Sequence, residues 1–136
     1  MLLINLLDPF ISMQILCMGF LTILFLQSGL NKVFDYQGNY NYLKAHFAQS
    51  PLKSTVGVLF PVVTTLEVLA GVFSLAGLFM FLVDNGNTSI GLIGAQLSAL
   101  CILMLFFGQR LAKDYNGAAT LTKYFLVCLA AIFILI

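Results

Sequence analysis

Apolar residues fill the chain in four long runs, Phe10 to Phe34, Thr55 to Val83, Ser89 to Gly108 and Leu121 to Ile136, separated by three polar links. At about 1.5 Å per residue each run makes a helix able to cross roughly 30 Å of hydrocarbon, although the last is short at sixteen residues. The pattern predicts an all-α, polytopic membrane protein. It is a four-transmembrane-helix bundle forming one domain over residues 1–136.

The links differ in character. In the first, DYQGNYNYLKAHFAQSPLKS, Gly38 and Asn39 are expected to break the first span. After them Tyr40, Leu43 and Phe47, with Ala48 less well aligned, recur at helical spacing around Lys44 and Gln49. This predicts a short amphipathic helix in the membrane interface, ended by Pro51. It reads first as an anchor between two spans and second as a lid over a ligand. The second link, Asp84 to Ser89, is a tight reversal carrying an Asn-Gly pair, so the spans it joins are antiparallel neighbours. The third, GQRLAKDYNGAATLTK, alternates in charge and holds another Asn-Gly. It is expected to be a solvated cap in which Arg110 and Asp114 can pair at i and i+4.

Composition removes any soluble alternative: 61% of the 136 residues are hydrophobic, 8% are charged and the mean hydropathy is +1.05. Met1 to Pro9 carries no Lys or Arg for the basic region of a cleaved signal, so the first span is expected to stay. Pro9 suits the first turn of that span with Asp8 as its N-cap. The net charge of +1 says little, but its distribution says more. Lys32, Lys44, Lys53, Arg110, Lys113 and Lys123 all fall at or near the first and third links. The positive-inside rule then places those links in the cytoplasm and both termini outside, unless the cations gather there for function. Cys17, Cys101 and Cys128 are solitary in three different spans and read as small packing residues.

Polar residues inside the spans fall on consistent faces. In the second span Thr64, Glu67, Gly71 and Ser74 share an arc of roughly 80° at the helical repeat. Gly91, Gly94, Ser98 and Cys101 do so in the third, while Gln14, Ser28 and Lys32 share a narrower arc in the first, beside Gly29. Small residues let helices approach closely in a bilayer, where hydrophobicity cannot drive their association. Glu67 is costly in hydrocarbon unless compensated, and Lys32 and Arg110 approach its level from the same end of the bundle. A charged ligand pocket at Lys32, Glu67 and Arg110 is therefore expected, with Ser28 on its wall and His46, Asp114, Asp35 and Tyr36 at its mouth. The competing reading is a buried ion pair that only fixes how the helices assemble.

With one His in the chain, no metal site and no haem pair is expected, and no phosphate loop or nucleophile elbow is present. The residues assign no catalytic role and no cofactor, a quinone remaining open, and no nucleic-acid partner is expected. The expected partners are membrane lipid and either other membrane subunits or further copies of the chain.

LQSGLNKVFDY at the end of the first span, HFAQSPL in the first link, TTLEVLAGVFSLAGL in the second span and GQRLAKDYNGAA after the third together resemble the DoxX-like membrane proteins. The likeness runs from about residue 14 to about residue 125. It implies four spans, with the family's Gly-x-x-Lys on Gly29 and Lys32 and its helix-borne acid on Glu67. Some members are associated with sulfur-compound oxidation coupled to quinone, others with redox complexes or membrane-protein assembly. The resemblance therefore implies a subunit of the bacterial inner membrane, accessory to a quinone- or thiol/sulfur-linked redox complex. On that reading the pocket at Lys32, Glu67 and Arg110 is expected to hold a quinone or a small anionic or thiol substrate, with Glu67 exchanging a proton and the cations steadying negative charge. The alternative is a non-catalytic interaction or assembly subunit that docks onto a larger membrane complex.

Overall fold

The computed structural model describes residues 6–136, and the part of the leader argument that rests on residues 1–5 lies outside it. The described chain is all-helical: α1 (Pro9–Phe34), α2 (Tyr36–His46), α3 (Val56–Val83), α4 (Ser89–Leu111) and α5 (Tyr115–Leu135). The four long helices, α1, α3, α4 and α5, are each long and apolar enough to cross a membrane. They pack α1 on α3, α3 on α4 and α4 on α5, with α5 returning to α1, and α2 lies across one end.

Burial follows the logic of a bundle immersed in lipid. Large apolar side chains such as Leu16, Ile23, Phe79, Leu103 and Phe133 face outward, whereas Thr64, Ser74, Ser98 and the glycines of the sequence-derived arcs are buried. Interior small residues set the helix spacing. A methyl placed on Gly71 would lie 2.7 Å from the Leu26 nitrogen of α1, and one on Gly94 would lie 2.7 Å from the Ser74 nitrogen of α3. At Gly77 the added carbon would fall onto the Gly91 backbone, so α3 and α4 cross with nothing between their main chains. Gln14 adds a polar tie, its Nε2 donating to the Ile134 carbonyl of α5 at 2.9 Å.

The ends obey local chemistry. Asp8 caps α1, its carboxylate accepting from the Phe10 N–H at 2.8 Å, and Pro9 occupies the first turn as expected. Between α3 and α4, Asn85 and Gly86 take positive φ values of 49° and 79° and make the tight reversal.

Three expectations about the links are corrected. Gly38 and Asn39 do not break the chain but lie inside α2, which starts at Tyr36; the break is Asp35, whose φ of −122° and ψ of 56° leave the helix. Gly38 is tolerated because the Asp35 carboxylate folds over that turn, where an added carbon would lie 2.6 Å from Oδ2, and Asn39 donates to the Asp35 carbonyl at 2.8 Å. α2 also ends at His46 and not at Pro51, leaving Phe47, Ala48 and Gln49 in the turns beyond it.

The fourth span begins at Tyr115, not Leu121. The reversal is made by Lys113, at φ 61°, with its N–H on the Arg110 carbonyl and the Asp114 N–H on the Gln109 carbonyl. That pair of bonds is the Schellman termination of a helix. Asp114 then caps α5 at once by accepting from the Gly117 N–H at 3.0 Å, so the second Asn-Gly pair belongs to a first helical turn.

Candidate functional site

Gly29 and Val68 fix how α1 meets α3. An added carbon at Gly29 would lie 3.0 Å from the Val68 nitrogen, so the backbones approach one turn before Lys32 and one residue after Glu67. Cα–Cβ bonds lean toward a helix's N-terminus. Lys32, near the C-terminal end of α1, therefore reaches back into the bundle, and Glu67, on the antiparallel α3, leans out to meet it. The Lys32 Nζ donates to Glu67 Oε2 at 3.1 Å. The carboxylate is compensated by Lys32.

The two partners differ in setting. The Glu67 side chain is 1% exposed and that of Lys32 is 21% exposed, so the acid is sealed in while the ammonium reaches toward the end of the bundle. Glu67 Oε1 and the hydroxyls of Thr64 and Ser74, on the same face of α3, have no hydrogen-bond partner among the described residues. Polar atoms so buried normally hold one, which leaves this face with unused capacity.

A cavity of about 430 Å³ has Lys32 in its wall; Glu67 stands behind Lys32 and does not itself line it. Leu43 and Phe47 line it from α2 and the following turn, Phe60 and Val63 from α3, Met104 and Gln109 from α4 and Leu121 from α5. A volume in the range of small-molecule sites, largely apolar walls and a few polar groups are the usual makings of a ligand pocket.

At the rim, His46 Nε2 lies 2.7 Å from Gln109 Oε1 and 3.5 Å from Asp114 Oδ2. The other end of α2 rests on α3, where the rings of Tyr36 and Tyr40 stand 4.7 and 6.1 Å from that of Phe60. Both ends of α2 are thus tied down and the cavity lies beneath it, which suits a cover as much as an anchor.

Of the expected pocket residues, Lys32 and Glu67 meet, and His46 and Asp114 meet at the rim. Arg110 does not join them. It is exposed, its guanidinium 4.6 Å from the centre of the Tyr115 ring, and the Arg110–Asp114 pair gives way to the contact of Asp114 with His46. The reason is helical phase: Arg110 stands about half a turn around α4 from the buried Cys101. Ser28 is half-buried on α1, outside the cavity wall, and Asp35 is exposed at the end of α1. Gln109 was missed, although the same phase argument puts it in register with Gly91 and close to Ser98. No family model, curated protein or solved structure matches the chain.

Proposed function

We propose that the protein is a small membrane subunit of DoxX-like type, accessory to a quinone- or thiol/sulfur-linked redox complex, that holds an apolar-bodied molecule of the quinone class beside Lys32 and Glu67. The observation that carries this reading is the cavity of about 430 Å³ with the ammonium of Lys32 in an otherwise largely apolar wall. Apolar walls accept a ring and its tail, and Lys32 supplies N–H donors for a carbonyl oxygen. On this reading Glu67, behind Lys32, exchanges a proton by way of its hydrogen bond to that ammonium.

The second reading, an assembly subunit without a ligand, draws on the closed ion pair at 3.1 Å, which ties α1 to α3 whether or not the cavity is filled. Purification in mild detergent, with identification of co-purifying proteins and lipids, separates the two. A bound quinone together with a redox partner supports the first. A stoichiometric partner with no small molecule retained supports the second and sinks the first.

In this proposal the protein sits in a bacterial inner membrane with the links after α1 and α4 in the cytoplasm, because all six cations lie at or near those links. Single cysteines replacing Tyr36 and Asn116, both exposed, are expected to react with a membrane-impermeant thiol reagent only from the cytoplasmic face. Labelling of both from outside would invert the orientation. Labelling from opposite faces would defeat the four-span arrangement.

A further inference from the structure

We infer that Glu67 sets the charge selectivity of the cavity, which accepts an uncharged long-chain molecule bearing an acceptor oxygen and turns away the carboxylate of the same length. The inference rests on reading the cavity as a ligand site and adds what that site discriminates.

The wall defines what a ligand must bring. Its charged group is the Lys32 ammonium, which is donor only; Gln109 also lines the wall, but its amide is turned to His46 and to the Gly117 turn. A ligand that satisfies Lys32 carries an acceptor oxygen on an apolar body. Both carbonyls and carboxylates meet that requirement, so charge decides between them.

The charge of Lys32 is already answered by Glu67 Oε2 at 3.1 Å. Glu67 lies one turn beyond Val63, which lines the cavity, and its burial at 1% exposure keeps bulk solvent from screening it. A ligand carboxylate reaching the Lys32 ammonium would come within a few ångströms of a second carboxylate in a poorly polarisable site. Like charges so placed repel strongly. Among the described residues no further cation relieves them: Arg110 is held outside over Tyr115, and His46 at the rim faces Asp114. An uncharged oxygen accepts from Lys32 while the pair stays closed.

Two photoreactive probes test this, a diazirine-bearing fatty acid and its methyl ester, offered at equal concentration to the full-length protein in phosphatidylcholine nanodiscs. The pH is set high enough to ionise the membrane-bound acid, and crosslinks are mapped to Leu59, Val63 and Met104 in the cavity wall. The ester is expected to label these residues about tenfold more than the acid, a ratio that needs only a modest repulsion. In Glu67→Gln the preference should turn toward the acid, because the ammonium is then unanswered. The wild-type ratio decides the matter by itself if that variant fails to assemble. Equal labelling of wild type by acid and ester overturns the selectivity but leaves the ligand site standing. Absence of cavity labelling by either probe overturns the ligand site and the selectivity together.

Discussion

Lys32→Met is expected to destabilise the bundle by about 3–5 kcal/mol, the usual loss when one member of a buried pair is removed and the other is left sealed in without its partner. Glu67, at 1% exposure with Oε1 already unpartnered, would then have only neutral hydroxyls such as that of Thr64 on its own face to turn to and, among the described residues, no second cation. The reverse deletion leaves a different remainder. In Glu67→Gln the ammonium of Lys32, already 21% exposed, can extend along its flexible stem toward the end of the bundle, so a smaller loss of about 1–3 kcal/mol is expected. The double variant Lys32→Met with Glu67→Gln should recover much of the larger loss, since no charge is then left inside. Thermal or denaturant unfolding of the three variants in one mild detergent checks the order. Equal losses, or a greater one from Glu67→Gln, would mean that burial does not distribute the energy of this pair as described.

Gly77→Val should cost about 3 kcal/mol, at the upper end of overpacking penalties. Most crowded positions relax by moving a flexible side chain, but here the obstacle is the Gly91 backbone of α4. The helices must separate, and separation also opens the neighbouring contact where Gly94 seats Ser74. Close backbone approach is the main source of helix association in lipid, so the loss is not replaced by hydrophobic burial elsewhere. Gly19→Val is the matched control, because nothing lies within 4 Å of a carbon added at Gly19. Similar unfolding midpoints for the two variants would contradict the crossing.

The four spans were legible because length and hydropathy report directly on the bilayer, and α1 and α3 came within a residue of their observed limits. Lys32 and Glu67 were legible because few charges lie in or near the spans and because helical phase turns Glu67 inward. Arg110 was misplaced when its position along the chain was weighed above its phase. The same phase would have exposed Gln109 as an interior group. Gly38 read as a break and the pair Asn116-Gly117 as part of a solvated link, yet Gly38 and Gly117 each sit in a first helical turn where the carboxylate of Asp35 or Asp114 occupies the space a larger side chain would need. The link's true turn fell on Lys113, a residue with no turn signature, held at positive φ by the two Schellman hydrogen bonds. The cavity itself was not legible, because it arises where α2 lies over α3, α4 and α5, and no single helix carries its outline.

The central claim is that the space beside Lys32 is occupied by a molecule, and it is tested most directly by extracting and weighing what the protein carries. Wild type and Val63→Phe, whose added ring projects into the cavity, should be isolated side by side in native-lipid nanodiscs, checked for equal folding, and their organic extracts compared by mass spectrometry. The account predicts one apolar, carbonyl-bearing species near one per wild-type chain and largely missing from Val63→Phe. The same species at equal amounts in both, or no species enriched over bulk lipid in wild type, would contradict it.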